Sequence, residues 1–137
     1  MTLSNEKNVF ALIIRDGIPL VKISAKYLDL TFADDLSKTL IESENIKRGT
    51  VVDFATVTYI DSVIISTIVK HFVDQRKTGH RLIIFNTGKH INELLETTRL
   101  NNILDVAEDL DEAIEMAKRP LTSDEITMYS RDDETEL

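Results

Sequence analysis

Short apolar runs, too brief to make helices, alternate along this chain with longer stretches whose apolar residues recur every three or four positions. That alternation limits the chain to helices packed on a sheet. Residues 9–14 and 18–23 are apolar and β-branched, and Arg15, Asp16 and Gly17 between them predict a hairpin, with Pro19 opening the second strand. Thr31 precedes Phe32, Leu36, Leu40 and Ile41, a stripe that predicts a first helix over about 32–45, with Asp34 and Asp35 near its positive end. Residues 50–54 read as a short buried strand. After Asp61 and Ser62 the longest apolar stripe begins, and Lys77, Thr78 and Gly79 close it. A strand follows at 82–85, a third helix through Ile91, Leu94, Leu95 and Thr98, a candidate last strand at 103–106, and a last helix over 109–118. The expected fold is α/β, a mixed sheet of about five strands flanked by about four helices.

A chain of 137 residues suits one domain with one core. Its net charge of −8 is uneven, because residues 120–137 hold six acids against Arg131. The predicted organisation is therefore a short N-terminal tail at 1–8, a folded body at 9–118 and an acidic, disordered tail at 119–137. Leu121, Ile126 and Met128 leave room for one docked turn within that tail. The acidic balance argues against nucleic-acid binding and favours basic partners. No apolar run approaches the ~20 residues that span a bilayer, so no direct membrane insertion is expected. The polar start, with Glu6 and Lys7, lacks the order of a secretory signal, which gives a cytoplasmic expectation.

Catalytic chemistry finds little support in the residues. The chain has no cysteine, and His71, His80 and His90 lack the three- or four-residue spacing that sets two imidazoles on one helix face. Its glycines form no phosphate-binding pattern. Asp53 ends a strand as a receiver's phosphoacceptor does, but the acidic pair and the lysine that such a site needs are missing. We therefore expect no catalytic residue, metal or cofactor, and a binding module in place of an enzyme. The informative segment is VVDFATVTYIDSVIIST, 51–67. Asp61 and Ser62 are suited to cap the helix that follows. Projected at 100° per residue, Ile65, Ile68, Val69 and Phe72 face inward and Val63 falls on the opposite side.

Three segments in order resemble the STAS family, which includes bacterial anti-sigma factor antagonists and stressosome scaffold proteins. They are AKYLDLTFADDL at 25–36, VVDFATVTYIDSVIIS at 51–66 and LIIFNTGKHINELLETTRLNNIL at 82–104. The resemblance covers about 9–117 and implies a STAS-type fold. It implies that Ser62 is the serine phosphorylated by a partner kinase. It also implies a partner-binding set of Asp29, Asp61, Ser62, Val63 and Ser66. The chain departs from the family where many members carry Ser or Thr followed by Gly-Leu-Gly, and has Val63, Ile64, Ile65 and Ser66 there instead. The implied partners are an anti-sigma factor serine kinase, sequestered by the unphosphorylated form so that a sigma factor is released, and a PP2C-type phosphatase that resets the switch. Alternatives within the resemblance are a subunit of a stressosome-like scaffold, or of a membrane transporter or lipid-trafficking complex. The sequence does not specify the oligomeric state.

Overall fold

The central strands show why the apolar runs are continuous. Strand β4 (Thr50–Asp53) pairs in parallel with β2 (Ile18–Ile23) on one side and with β6 (Leu82–Phe85) on the other. Val51, Ile83 and Phe85 point into one apolar cluster, while Val52, Leu82 and Ile84 point into a second on the opposite face. Strands covered on both faces need apolar residues at every position. The computed structural model describes residues 9–126. Strand β1 (Phe10–Arg15) completes the hairpin by pairing antiparallel with β2 through the turn at Asp16 and Gly17. The five-stranded sheet has the order β1-β2-β4-β6-β7, with β7 at Asp105–Ala107 parallel to β6. The last strand begins later than the sequence predicts, because Leu100–Asn102 forms a 3-10 turn and the Leu104 amide still donates to Leu100 O.

Helices α1 (Ala33–Glu44), α2 (Ser62–Lys77) and α3 (Lys89–Thr97) contribute to the larger cluster, and α4 (Leu110–Lys118) covers the other face through Ala113, Ile114 and Ala117. The inward face of α2 differs from its apolar projection. It centres on Ile64, Ile68 and Phe72 and includes His71 and Gln75, whereas Ile65 and Val69 are only half-buried. The rotation follows from buried polar contacts that hydropathy does not register. His71 lies between α2 and α1, with Nε2 2.8 Å from the Ser37 hydroxyl and Nδ1 2.6 Å from the Glu44 carboxylate. Gln75 Nε2 donates to the Thr50 hydroxyl, itself hydrogen-bonded to Ser43. His71, Gln75, Thr50 and Ser43 thereby find partners for their buried side chains, which offsets their desolvation.

The start of the expected tail is docked. Arg81 donates to the carbonyls of Arg119 and Pro120 and to Glu125, and Arg76 bridges Asp105 and Glu125. Thr122 and Glu125 form a reciprocal capping box, the Thr122 amide donating to the Glu125 carboxylate and the Glu125 amide to the Thr122 hydroxyl. Packing thus continues to Ile126, past the boundary expected at Lys118. Residues 1–8 and the rest of the acidic tail, 127–137, with Met128, lie outside the described residues. Among the described residues, no helix is long and apolar enough to cross a membrane.

Candidate functional site

Two tripeptides of one kind build the site, Tyr27-Leu28-Asp29 and Tyr59-Ile60-Asp61. Each contributes a two-residue strand, β3 (Tyr27–Leu28) and β5 (Tyr59–Ile60), and the two pair in parallel with Tyr27 beside Tyr59 and Leu28 beside Ile60. Alternation along the strands buries Leu28 and Ile60 and leaves Tyr27 62% and Tyr59 53% exposed. The small sheet is closed by the Tyr59 amide donating to Lys26 O and the Asp61 amide donating to Leu28 O. Both aspartates then open helical segments.

Asp29 caps the 3-10 turn Leu30–Phe32, its Oδ1 accepting from the Thr31 hydroxyl and the Thr31 amide. Those bonds, the hydroxyl first, hold its carboxyl below the usual carboxylate range. Asp61 caps α2: Oδ1 accepts from the amides of Val63 and Ile64, each at 3.0 Å, while Oδ2 accepts from the Leu30 amide at 2.8 Å. One carboxylate therefore holds the helix start and the Asp29 loop together. Capping leaves the next residue unengaged. Ser62 is the first residue of α2 and is exposed, and among the described residues no hydrogen bond engages its hydroxyl.

The structure brings the five predicted residues to one end of the molecule. Val63 is 41% exposed, as its outward projection requires, and Ser66 is exposed one turn below Ser62. The departure from Gly-Leu-Gly has a local reason, since Ile64 is fully buried in the core and Ile65 lines a neighbouring groove. That groove, of about 830 Å³, runs between the β3–β5 lip and α3, with Ile65, Ile91 and Leu94 on its walls and Asp61 and Ser62 at its rim. Tyr27 and Tyr59 line the same groove as Ser62, and Leu30, 61% exposed, is held beside Asp61 by its amide. Sequence reasoning passed over these three residues and the groove. The signal available for them was the repeat of tyrosine, aliphatic and aspartate.

Asp53 has a structural role. Asp53 Oδ1 accepts from the Ala55 amide and from Asn86 Nδ2, joining two loops. His80 contacts Thr78, and His90 lies 3.9 Å from Glu93. Among the described residues, no group of three or more potential ligands is placed to hold a metal ion.

A family model described as the STAS domain matches residues 10–113. No curated protein matches the sequence. Among solved structures, the chain is similar to an anti-sigma factor antagonist from Mycobacterium paratuberculosis. That likeness is 18% identical, covers 80% of this chain and 93% of the other, and has a TM-score of 0.69. It is also similar to a sulfate transporter family protein from Wolinella succinogenes, at 18% identity, with 77% and 88% covered and a TM-score of 0.65. A third likeness is to the Bacillus cell fate determinant SpoIIAA in its phosphorylated form, at 14% identity, with 78% and 97% covered and a TM-score of 0.60. At such identities these likenesses establish the fold alone.

Proposed function

The chain belongs to the STAS domain family, and from that premise we propose that it is an anti-sigma factor antagonist switched by phosphorylation. Unmodified, it binds an anti-sigma factor serine kinase and so releases a sigma factor; phosphorylated on Ser62, it lets the kinase go, and a PP2C-type phosphatase restores it. The observation that carries this reading is the division of labour at the start of α2. Asp61 does the capping, and the exposed Ser62 hydroxyl beside it has no structural duty.

Phosphate on that hydroxyl adds roughly −1.5 to −2 charge. The helix N-terminus tolerates an anion, so the fold survives. The surrounding surface is changed far more. A partner face matched to a neutral hydroxyl and to Val63, Leu30, Tyr27 and Tyr59 meets a dianion beside the Asp61 carboxylate, and burying it unpaired costs several kcal/mol. The module binds and is modified without catalysing a reaction itself. The reading implies a cytoplasmic, bacterial protein.

A transporter-associated role is supported by the likeness to the Wolinella protein, and a stressosome-like scaffold by the bulky 63–65 segment in place of Gly-Leu-Gly. Neither needs Ser62 to be phosphorylated. The test is incubation with the cognate kinase and ATP followed by mass spectrometry, beside calorimetric titration of the kinase. Ser62→Ala should retain binding and take up no phosphate. Ser62→Asp should fold normally and bind at least about tenfold more weakly, ~1.4 kcal/mol. Phosphate on Ser66, or equal affinities for all three proteins, removes Ser62 from the role.

A further inference from the structure

A second concavity lies at the opposite end of α2, whose 16 residues separate it from Ser62 by about 24 Å. It is a cleft of about 360 Å³, formed where the β1–β2 turn, the α1–β4 loop, the α2–β6 loop and the end of α4 meet. Lys47, Arg48, Lys118 and Arg119 line it, with His80, and Asp16 is the acid among its lining residues. In a chain of net charge −8 this is a local inversion of sign.

Helix dipoles account for only part of it. A dipole favours cations within the last helical turn. Lys118 is in the last turn of α4 and Arg119 is its C-cap, but the last turn of α1 holds no basic residue, and Lys47 and Arg48 lie beyond that helix. Neighbouring acids do not account for the rest. Arg76 and Arg81, close in sequence, are engaged by Asp105 and Glu125, whereas among the described residues no ion pair engages the four cations of the cleft. Lys47, in the loop that also carries Arg48, adopts left-handed backbone with φ of 61°, a conformation that residues with a side chain seldom take. Four cations that converge on one concave surface, with no ion pair to them among the described residues, suit an anion.

We propose that this cleft binds a compact anion of the phosphate class carrying at least two negative charges. The chemistry is common to a small free phosphorylated molecule and to a phosphate borne by a protein partner. A long polyanion is disfavoured, because it would extend over the acidic remainder of the surface, while a compact one feels only the local field. The cleft is independent of the switch, so the inference stands whether or not Ser62 is phosphorylated.

The test uses the full chain at low salt, titrated with inorganic pyrophosphate and followed by calorimetry and by amide chemical shifts. Saturable binding in the millimolar range or tighter is expected, with shifts concentrated at Lys47, Arg48, Gly79 and Lys118 and with affinity falling as sodium chloride is added. Arg48→Gln combined with Arg119→Gln should weaken binding at least about tenfold. Both residues are exposed, so thermal unfolding should be unchanged, and Lys118→Gln alone provides a milder variant with the same direction of effect. Glycerol phosphate and a phosphoserine peptide, titrated in parallel, separate the two sources: the tighter ligand identifies which one the cleft serves. Absence of saturation at millimolar pyrophosphate, shifts confined to residues 61–63, or undiminished binding by the double variant would overturn the proposal.

Discussion

Replacing Asp61 in two ways separates its two tasks. In Asp61→Ala, α2 loses a cap that accepts from two amides, a change that costs about 1 kcal/mol in typical helices. The Leu30 amide also loses its acceptor; because that bond is exposed, water replaces it and the further loss is about 0.5–1 kcal/mol. The expected total is about 2 kcal/mol, which lowers the melting temperature of a domain this size by roughly 6–10 °C. Asp61→Asn is the sharper variant. Its carbonyl oxygen retains both α2 amides, and asparagine caps about as well as aspartate. Its amide group, however, faces the Leu30 amide donor to donor, so the Asp29 loop is released while the helix start holds. Global stability should fall by about 1 kcal/mol, the lost loop bond together with the lost charge at the helix N-terminus. Denaturant titration measures the totals, and amide hydrogen exchange separates the parts. In the asparagine variant Leu30 and Thr31 should exchange faster, while Val63 and Ile64 keep their protection. Equal loss at both places, or an alanine variant within a few tenths of a kcal/mol of the parent, would refute the view that one carboxylate ties the loop to the helix.

Glu125→Gln should lower the melting temperature, and so should ending the chain after Lys118, since each removes a carboxylate from Arg76 and Arg81. The pH dependence follows from the same group. The Thr122 amide, together with Arg81 and Arg76, holds the Glu125 carboxyl below its ordinary value of 4.5 against the opposing effect of burial. Its contribution is therefore fully present above pH 4.5 and is lost as pH falls through the lower folded value; a parent and a Glu125→Gln protein with the same acid profile would contradict this. His71→Leu, close in volume, removes the hydrogen bonds to Ser37 and Glu44 and should cost about 2 kcal/mol by denaturant titration; a change of a few tenths would mean that the pair adds no stability. Gly49→Ala should cost about 1–3 kcal/mol, because φ is +87° and the new Cβ would lie 3.0 Å from Arg81 O. A gain in melting temperature there would show that the loop relaxes freely.

The strands β4 and β6 and the helix at Leu110–Lys118 were legible in the sequence because local chemistry determines them. A run buried on both faces must be apolar throughout, and Asp109 caps its own helix by accepting from the Glu112 amide. Asp61 and Ser62 were legible for the same reason, since a cap engages amides only two and three residues away. The strands at 27–28 and 59–60 were not, because two residues form a strand only when a partner 32 positions distant lies beside them. The face of α2 was misjudged by about one residue because His71 and Gln75, polar by composition, find their partners on α1 and β4. The groove beside Ser62 and the cationic cleft at the other end of α2 each gather residues from several elements distant in sequence. Sequence by itself determined the helices, the longer apolar strands and where α2 is capped, because periodicity and capping depend on residues close along the chain. Tertiary structure alone decided which buried polar groups meet and which cations converge, because hydrogen bonds and charge act through space and the chain's path decides what lies within their reach.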